Sequence, residues 1–275
     1  MNRLISVDAS VITNKGMVRE NNEDNFYLNG SFMRPHERDK EISLTIEECT
    51  EDFIFSVCDG MGGEQYGEKA SLAAVTELKR YHDNLKESNN VHNLLGVLVT
   101  YIERTNELLY DMSLQYGCRM GTTFAGLVIS GNEAAALNIG DSRVYLCREG
   151  HFTQLTLDHT EAESLVRMGV LTKEKAQKHK SKHRLTRHLG ISPEEGKMDA
   201  FVTDIFYIKT NDVFLLCSDG LTDMIDESMI RDIIISNNNS TGICSCLVRE
   251  ALKAGGADNI TSMVIRVEDA YTNSL

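Results

Sequence analysis

The chain has 275 residues, of which 41% are hydrophobic and 25% are charged, a composition typical of a globular protein with a large core. The formal net charge of -13 argues against a nucleic-acid surface, which needs a basic face. Met1–Ser10 lacks the apolar core of a signal peptide, and no stretch reaches the roughly 18 to 20 apolar residues of a membrane span, so we predict a cytoplasmic protein.

The domain count follows from the absence of a linker. Only two prolines occur, Pro35 and Pro193, and no tract rich in Ser, Gly and Pro separates two halves. We therefore expect one domain over residues 1–275. The seven cysteines include no Cys-x-x-Cys pair, which predicts free buried thiols.

Apolar periodicity separates helices from strands. In the clearest helix, apolar residues from Leu94 to Met112 alternate spacings of four and three, which is typical of a core-facing stripe. In chain order the predicted elements are strand Phe53–Cys58, helix Glu68–Tyr81, helix Leu94–Met112, strands Thr123–Ile129, Ala134–Ile139, Val144–Cys147, Phe201–Ile208 and Val213–Cys217, helices Ser228–Ser236 and Thr241–Ala254, and strand Thr261–Val267.

Short turns indicate how these strands pair. Ser130-Gly131-Asn132 and Arg148-Glu149-Gly150 are short enough to close hairpins, so much of the sheet structure should be antiparallel. Two long helices interrupt the strands rather than alternate with them. This order favours an α+β sandwich with helices outside, although the pattern alone leaves the number of layers open.

Two segments stand apart from the regular pattern. Ser31–Asp52 is rich in charge but contains Ile42, Leu44 and Ile46 in strand-like alternation, and we interpret it as a decorated hairpin. The segment at about 160–182 combines a small helical pattern with a lysine-rich end, and we interpret it as a mobile flap.

Acidic residues stand where predicted strands end or begin. Asp59, Asp141 and Asp219 each follow an apolar strand, whereas Glu23-Asp24 and Asp258-Asn259 each precede one. Because the exit of one antiparallel strand lies beside the entry of its neighbour, we expect these carboxylates to gather at one edge of the sandwich.

Crowded like charges of this kind require cations. Oxygen ligands without obligatory cysteine or histidine suit hard ions such as Mg²⁺ or Mn²⁺ better than zinc. Each Asp-Gly taken alone is better explained as a turn that ends a strand. The positions taken together favour a shared metal site.

Eight polar motifs follow one another along nearly the whole chain. They are Arg19-Glu20-Asn21-Asn22-Glu23-Asp24, Cys58-Asp59-Gly60-Met61-Gly62-Gly63, Gly121-Thr122-Thr123, Gly140-Asp141-Ser142-Arg143, Leu157-Asp158-His159-Thr160, Leu185-Thr186-Arg187, Ser218-Asp219-Gly220-Leu221 and Asp258-Asn259-Ile260-Thr261. In order and spacing they resemble the motifs of the metal-dependent serine/threonine phosphatases of the protein phosphatase 2C type, in particular the stand-alone bacterial members. One motif would be weak support, whereas eight in order are specific.

The resemblance implies a fold, an activity and partners. The fold would be a four-layer αββα sandwich of two antiparallel β-sheets flanked by helices. The activity would be hydrolysis of phosphate monoesters on phosphorylated serine/threonine proteins, reversing the action of a cognate Ser/Thr kinase. We expect two Mn²⁺ or Mg²⁺ ions, a third weaker ion, and a monomeric protein.

The resemblance also implies ligands for the two principal ions. Asp59 would bridge them, and Asp219 and Asp258 would complete the protein ligands of one ion. The backbone carbonyl of Gly60 would serve the other ion, with Glu23 reaching it directly or through water.

Three further roles follow from the same resemblance. Asp141 would bind the third ion, Asp24 would support the ligand shell through metal-bound waters, and Arg19 would hold the substrate phosphate. The planar guanidinium of Arg19 suits this role because it can donate two parallel hydrogen bonds. The competing interpretation of Arg19 is a surface ion pair with Glu20 or Glu23.

The expected mechanism uses a water or hydroxide bridging the two ions, which attacks phosphorus in line with the leaving oxygen. The proton donor to that oxygen is left open. Many eukaryotic relatives have histidine where this chain has Met61, and a thioether cannot transfer a proton. A metal-bound water and His159 are the two hypotheses, and a structural role for His159 is the competing interpretation.

Two rival functions deserve comparison. The stretch from Gly62 to Lys69 resembles a nucleotide-binding P-loop in its glycines, but Glu68 stands where the phosphate-binding lysine must be. The other rival is a catalytically weak metal-binding relative that acts as a phosphoprotein-binding regulator. Such relatives usually lose metal ligands, whereas Asp59, Asp219 and Asp258 are all present here.

Overall fold

The computed structural model describes residues 4–38, 41–50, 52–62, 66–86, 90–195 and 198–270. Its helices are α1 Gly67–Lys86, α2 Val91–Tyr116, α3 Glu161–Arg167, α4 Lys173–Ala176, α5 Asp219–Thr222, α6 Glu227–Ser236 and α7 Ser240–Lys253. Its strands are β1 Ile5–Asn14, β2 Asn25–Leu28, β3 Ile42–Thr50, β4 Asp52–Cys58, β5 Gly60–Gly62, β6 Met120–Thr122, β7 Phe124–Ser130, β8 Glu133–Ile139, β9 Arg143–Arg148, β10 His151–Gln154, β11 Phe201–Val202, β12 Phe206–Tyr207, β13 Val213–Cys217 and β14 Ile260–Ala270.

Two antiparallel sheets contain most of the strands in the described ranges. The first sheet has the order β10-β9-β13-β14-β1-β3. The second has the order β11-β8-β7-β4-β2, with β12 also paired to β8. Strands β5 and β6 form a separate two-stranded ribbon. None of the helices in these ranges is long and apolar enough to cross a membrane.

Three apolar cores define the layers. Between the sheets, Val11 and Phe214 from the first sheet pack with Phe55 from the second. On the outer face of the second sheet, residues of α1 and α2 such as Leu78 and Leu98 form another core. On the outer face of the first sheet, α6 and α7 form the third. The expected α+β class and the αββα layering are therefore confirmed.

The predicted strands differ from the observed ones in three places. The segment Ile42–Thr50 is the edge strand β3, paired with β1 and not within a hairpin, so the decorated hairpin over Ser31–Asp52 is wrong; residues 39, 40 and 51 of it lie outside the described residues. The predicted single strand Phe201–Ile208 is two short strands, because the three residues between Val202 and Phe206 lie opposite only two residues of β8, those between Leu137 and Ala134. Strand β1 was not predicted.

The predicted hairpins and helices agree better. Strands β7 and β8 pair across the first predicted turn and β9 and β10 across the second. Helix α2 extends beyond the predicted stripe at both ends. The Asn90 side chain accepts a hydrogen bond from the Asn93 N–H, which caps the start, and Gly117 adopts a left-handed φ of 65°, which ends the helix.

The register places strand exits beside strand entries. Cys58 at the end of β4 pairs with Asn25 at the start of β2, and Ile139 at the end of β8 pairs with Phe124 at the start of β7. In the first sheet, Cys217 at the end of β13 pairs with Ser262 near the start of β14. The acidic residues next to these positions therefore share one edge of the sandwich.

Helix α7 is held against β1 by a charged contact at its first residue. The Ser240 N–H donates to Asp8 Oδ2 at 2.9 Å, and the Ser240 hydroxyl donates to Asp8 Oδ1. A carboxylate at a helix N-terminus satisfies free N–H groups and interacts favourably with the helix dipole.

We predict that Asp8→Ala lowers the free energy of unfolding by about 1 to 2 kcal/mol, since it removes this contact and leaves Ser240 without its acceptor. Urea denaturation measures the change. The matched control is Asp232→Ala, which removes an exposed ion pair with Arg231 and should cost less than about 0.5 kcal/mol. Equal losses in the two variants would contradict the role given to Asp8.

Candidate metal centre

The acidic edge of the sandwich opens into a cavity of about 570 Å³. Each predicted ligand contributes to its wall, together with Arg19 and several residues of the segment that follows the flap. The wall includes Arg19, Glu23, Asp59, Gly60, Met61, Arg119, Thr123, Asp141, His183, His188, Glu195, Asp219, Asp258 and Asn259. The structure thus brings together side chains from distant parts of the chain.

Backbone and hydroxyl hydrogen bonds fix Asp59 at the end of β4. Its N–H donates to Thr123 Oγ1 at 2.9 Å, and its carbonyl accepts from the Thr123 N–H at 2.8 Å and from Thr122 Oγ1 at 2.9 Å. The carboxyl groups of Asp59 and Asp219 are close enough to share a hydrogen bond. Two aspartates about 160 residues apart are therefore in contact.

Close backbone approaches position the other ligands. A Cβ on Gly220 would lie 2.0 Å from the Asn259 carbonyl oxygen, so only glycine lets the start of α5 approach the loop before β14. A Cβ on Gly60 would lie 2.1 Å from the Gly67 carbonyl oxygen. Because Gly60 and Gly220 have no side chain, the segments that carry Asp59 after β4 and Asp219 after β13 can pack closely against their neighbours at the cavity.

Asn259 joins the two acidic segments that precede strands. Its Oδ1 accepts from the Glu23 N–H at 2.7 Å, and its Nδ2 donates to the carbonyls of Lys15 and Asn21 at 2.9 and 2.8 Å. Its own N–H donates to Asp258 Oδ1 at 2.8 Å. This one amide fixes Glu23 relative to Asp258.

Asp24 lies behind the cavity wall and is fully buried. Its Oδ2 accepts from Ser218 Oγ at 2.7 Å and from Thr261 Oγ1 at 2.6 Å. Its Oδ1 has no hydrogen-bond partner among the described residues. Burial raises the pKa of Asp24 to about 7.

The carboxylates at the cavity oppose each other's ionisation. Burial raises the pKa of Asp59 well above its ordinary value, and the charges of Asp24, Asp219, Asp141 and Asp258 raise it further. Burial and the Asp219 charge act in the same direction on the pKa of Asp141. Without bound cations, these carboxylates resist full ionisation.

Asp219 departs from this trend because of a histidine. Burial raises the pKa of Asp219, but hydrogen bonding and the charge of His183 outweigh it, so this pKa lies below its ordinary value. His183 Nδ1 lies 3.3 Å from Asp219 Oδ2, and the same contact raises the pKa of His183. Sequence reasoning missed His183, because its partner is 36 residues away in the chain.

Arg19 borders the cavity and is about half exposed. Its Nη2 donates to Asp258 Oδ2 at 2.7 Å. The competing ion pair with Glu20 or Glu23 is not the one formed.

Sequence reasoning also missed a second arginine, Arg38. It is buried and donates to the carbonyls of Asn22 and Glu68 at 2.7 Å each, which holds the Glu23 loop against α1.

His159 is not among the residues that line the cavity. Its side chain is buried, and Nδ1 accepts from the Gly140 N–H at 3.2 Å. Burial lowers the pKa of His159 to about 4, so the imidazole is neutral at neutral pH and is a poor proton donor. This geometry supports the structural interpretation. Met61, by contrast, lines the cavity.

The residues present fit divalent cations. Most of the groups at the cavity that could bind a metal ion are carboxylate oxygens, to which Mg²⁺ and Mn²⁺ bind well. Asp24 Oδ1, which has no hydrogen-bond partner among the described residues, is suited to accept from the water shell that such ions keep. Asp59, Asp219 and Asp258 would hold one ion, with Asp59, the Gly60 carbonyl and Glu23 serving a second.

Sequence comparison identifies the family. The model of the family described as Protein phosphatase 2C matches residues 43–248. The chain therefore belongs to the protein phosphatase 2C family, and the resemblance found in its eight motifs is confirmed.

Individual proteins are similar over almost the full length. Protein phosphatase PhpP of Streptococcus pneumoniae is 32% identical over 271 residues, covering 96% of this chain and 98% of that protein. Serine/threonine phosphatase stp of Listeria welshimeri is 34% identical over 264 residues, covering 94% of each. A solved structure of the catalytic domain of the serine/threonine protein phosphatase PstP in complex with two manganese ions is 28% identical, has a TM-score of 0.76, and is matched over 97% of this chain and 100% of that one.

The raised pKa of Asp24 predicts how stability depends on pH. The pKa of Asp24 is about 7 in the folded protein, above its ordinary value of 3.8. The stabilisation that Asp24 contributes to the folded state is therefore full below about pH 3.8 and is lost as the pH rises through about 7. Divalent cations offset the loss. We expect the Tm of cation-free protein to fall between about pH 5 and pH 8, and added Mn²⁺ to raise it more at pH 8.

At about one hundred times its dissociation constant, the ion should add about 2.7 kcal/mol to the free energy of unfolding. Calorimetry of the wild type and Asp24→Asn measures both effects. The asparagine variant, which cannot ionise at this position, should show the flatter dependence on pH. Identical pH dependence in the two proteins would exclude Asp24 as the source.

Proposed function

We propose that this protein hydrolyses phosphoserine and phosphothreonine monoesters of proteins, using two divalent cations held by Asp59, Asp219, Asp258, Glu23 and the Gly60 carbonyl. The observation that carries the proposal is the convergence of these residues, from both sheets, on one cavity that also contains Arg19. Family membership and a relative named serine/threonine phosphatase support the same activity.

The chain's own groups prepare the site for this reaction. Thr122 and Thr123 fix the backbone of Asp59, and Asn259 fixes Glu23 relative to Asp258. Bound divalent cations would act as Lewis acids that lower the pKa of water, so that a nucleophile would be available near neutral pH. Asp24 would support the ligand shell from behind with its free oxygen.

Arg19 is suited to bind the phosphate group. Its guanidinium is half exposed at the cavity, and its hydrogen bond to Asp258 places it beside the ligand set. A guanidinium donates two parallel hydrogen bonds to phosphate and keeps its charge at all working pH values. Met61 cannot donate a proton and His159 lies outside the cavity wall, so of the two hypotheses for the proton donor to the leaving oxygen, a metal-bound water is favoured over His159.

The remaining expectations extend this proposal. Residues 1–275 would form one catalytic domain with a flap at about 160–182, acting as a monomer against a cognate Ser/Thr kinase. Helices α3 and α4 occupy the flap. The seven cysteines are free thiols, which agrees with a cytoplasmic location, but the prediction that they are buried is wrong for Cys49, which is exposed.

The competing function is that of a phosphoprotein-binding regulator with little or no catalytic activity. In this alternative the protein is a catalytically weak relative that binds metal and phosphoproteins, and such relatives usually lose some of the metal ligands needed for hydrolysis. The complete set of carboxylates at the cavity favours the enzyme. Phosphate release from phosphoserine and phosphothreonine peptides that depends on Mn²⁺ and stops with a chelator would separate the two.

We predict that Asp59→Asn and Asp219→Ala each lower kcat for such a phosphopeptide by roughly 10³-fold or more, since a metal ion contributes several kcal/mol to the transition state. Malachite-green detection of phosphate measures this. The control is Asp204→Asn, an exposed aspartate outside the cavity wall, which should keep wild-type activity. A fully active Asp59→Asn enzyme would overturn the proposed function.

Arg19→Ala should raise KM for the phosphopeptide by about 10-fold to 100-fold, because a hydrogen bond to a charged group contributes about 1.5 to 3 kcal/mol. Arg19→Lys keeps the charge but loses the fork and should lie between wild type and alanine. Steady-state kinetics at saturating Mn²⁺ measures both. The control is Arg104→Ala, which removes an exposed pair with Glu107 on α2. An Arg19→Ala enzyme with unchanged KM and kcat would exclude phosphate binding by this residue.

A further inference from the structure

Part of the cavity wall has no role in the proposed reaction. Met61, Arg119, His188, Ile191 and Glu195 line the same cavity as the predicted metal ligands. A phosphate group that reaches the cations brings the neighbouring residues of its own chain into this cavity. This part of the wall is therefore placed to contact the residues that flank the phosphorylated side chain.

We propose that Arg119 binds the carboxylate of an acidic residue that flanks the phosphoserine or phosphothreonine of the substrate, so that the protein prefers acidic phosphopeptides. The inference rests on the proposed function, because a peptide reaches Arg119 in this way only when its phosphate is held at the cations. It adds a sequence preference and a residue that no motif of the sequence pointed to.

The end of α2 and the start of β6 fix the backbone on either side of Arg119. Gly117 ends the helix, and the Cys118 N–H donates to the Ser113 carbonyl at 3.1 Å. The Met120 N–H donates to Ser113 Oγ at 3.3 Å. The guanidinium therefore extends from a backbone that is held in place at the cavity wall.

The Arg119 guanidinium has hydrogen-bond donors to spare. Its Nη2 donates to both carboxylate oxygens of Glu195, each at 2.8 Å, whereas Nη1 and Nε have no hydrogen-bond partner among the described residues. The Arg119 side chain is 75% exposed, and that of Glu195 is 46% exposed. Because an ion pair this exposed is weak, a substrate carboxylate can share the guanidinium or replace Glu195 at little cost.

The imidazole beside Arg119 adds no charge. Gly121 lies opposite Met61 in the β5–β6 ribbon, and opposite residues of an antiparallel pair project to the same face. A Cβ on Gly121 would lie 2.5 Å from His188 Nδ1, so the imidazole lies on the face of the ribbon that Met61 occupies. His188 Nδ1 donates to the Leu189 carbonyl at 2.9 Å, and burial lowers the pKa of His188. The ring is neutral at neutral pH, so Arg119 supplies the positive charge here.

A second cation lies just beyond Arg119. Gly62 also lines the cavity, and a Cβ on it would lie 3.1 Å from the Arg119 carbonyl oxygen and 3.2 Å from Tyr66 Cβ. The Lys69 ammonium lies over the rings of Tyr66 and Tyr116, at 4.7 and 4.8 Å from their centroids. An acidic peptide that leaves the cavity on this side meets two opposite charges, whereas a basic peptide meets two like charges.

The test measures kcat/KM in Mn²⁺ for phosphoserine peptides that carry aspartate, alanine or lysine at each flanking position in turn. Wild type should favour aspartate over lysine by about 10-fold at one position or more, since an attraction is exchanged for a repulsion at a partly exposed charge. Arg119→Ala should reduce this ratio to about 2-fold or less, and Arg119→Glu should invert it, because the sign of the charge is reversed.

Glu195→Gln tests the same contact from the other side. It removes the carboxylate that competes with the substrate, so it should raise the preference for aspartate by about 2-fold to 5-fold. A weaker preference for aspartate in Glu195→Gln would contradict the inference.

The matched control is Arg104→Glu, which reverses the charge of another exposed, paired arginine that follows from α2 and does not line the cavity. It should keep the wild-type ratio, which excludes an effect of net charge alone. Circular dichroism checks that each variant is folded. The inference is overturned by an unchanged ratio in both Arg119 variants, by an equal change in Arg104→Glu, or by a wild type without preference at any position.

The outcome can be separated from that of the proposed function. If wild type hydrolyses the peptides in Mn²⁺ and the Arg119 variants keep its ratio, only the role of Arg119 is wrong. If wild type releases no phosphate from any of the peptides in Mn²⁺, the proposed function is wrong and the acidic preference with it.

Discussion

Repulsion among buried carboxylates is the constraint on which the site depends. Burial and mutual repulsion raise the pKa values of three buried carboxyl groups, those of Asp24, Asp59 and Asp141. The exception is Asp219, whose pKa is lowered because His183 supplies a compensating hydrogen bond. The fold holds these groups together by many hydrogen bonds that do not involve the charges themselves, such as those of Thr123 and Asn259. The sandwich therefore supplies the stability that the cation-free site lacks, and the bound cations would relieve the repulsion.

The antiparallel register explains why residues so far apart in sequence converge. Each strand exit lies beside the entry of its neighbour, as Cys58 lies opposite Asn25 and Cys217 opposite Ser262. An acidic residue next to each of these positions necessarily reaches the same edge. Both sheets contribute, so the cavity forms where the two layers end together, and a displacement of either sheet would alter the ligand set.

This regularity is also why much of the fold and site could be predicted from sequence. The dipeptides Asp-Gly and Gly-Asp mark the ends of apolar strands, so the local sequence pattern was enough to predict the ligand positions there. Strand β1 was missed although Ile5, Val7 and Ala9 alternate with polar residues, because the polar Ser10 and Thr13 are themselves buried and weaken the contrast. The pairing of β3 with β1 is set by the tertiary fold and has no turn signal, which is why a hairpin was predicted instead.

The residues that sequence reasoning missed share one property. Their structural roles depend on contacts with residues elsewhere in the chain. Arg38 matters because it reaches the carbonyls of Asn22 and Glu68, and His183 because Asp219 and Asp223 lie on α5 and just after it. Neither contact has a characteristic spacing. His183 joins the segment that follows α4 to α5 and the residue just after it. The predicted ligands lie next to strands of the two sheets, whereas this imidazole comes from a segment outside both sheets, so the strand pattern that located the carboxylates could not locate it.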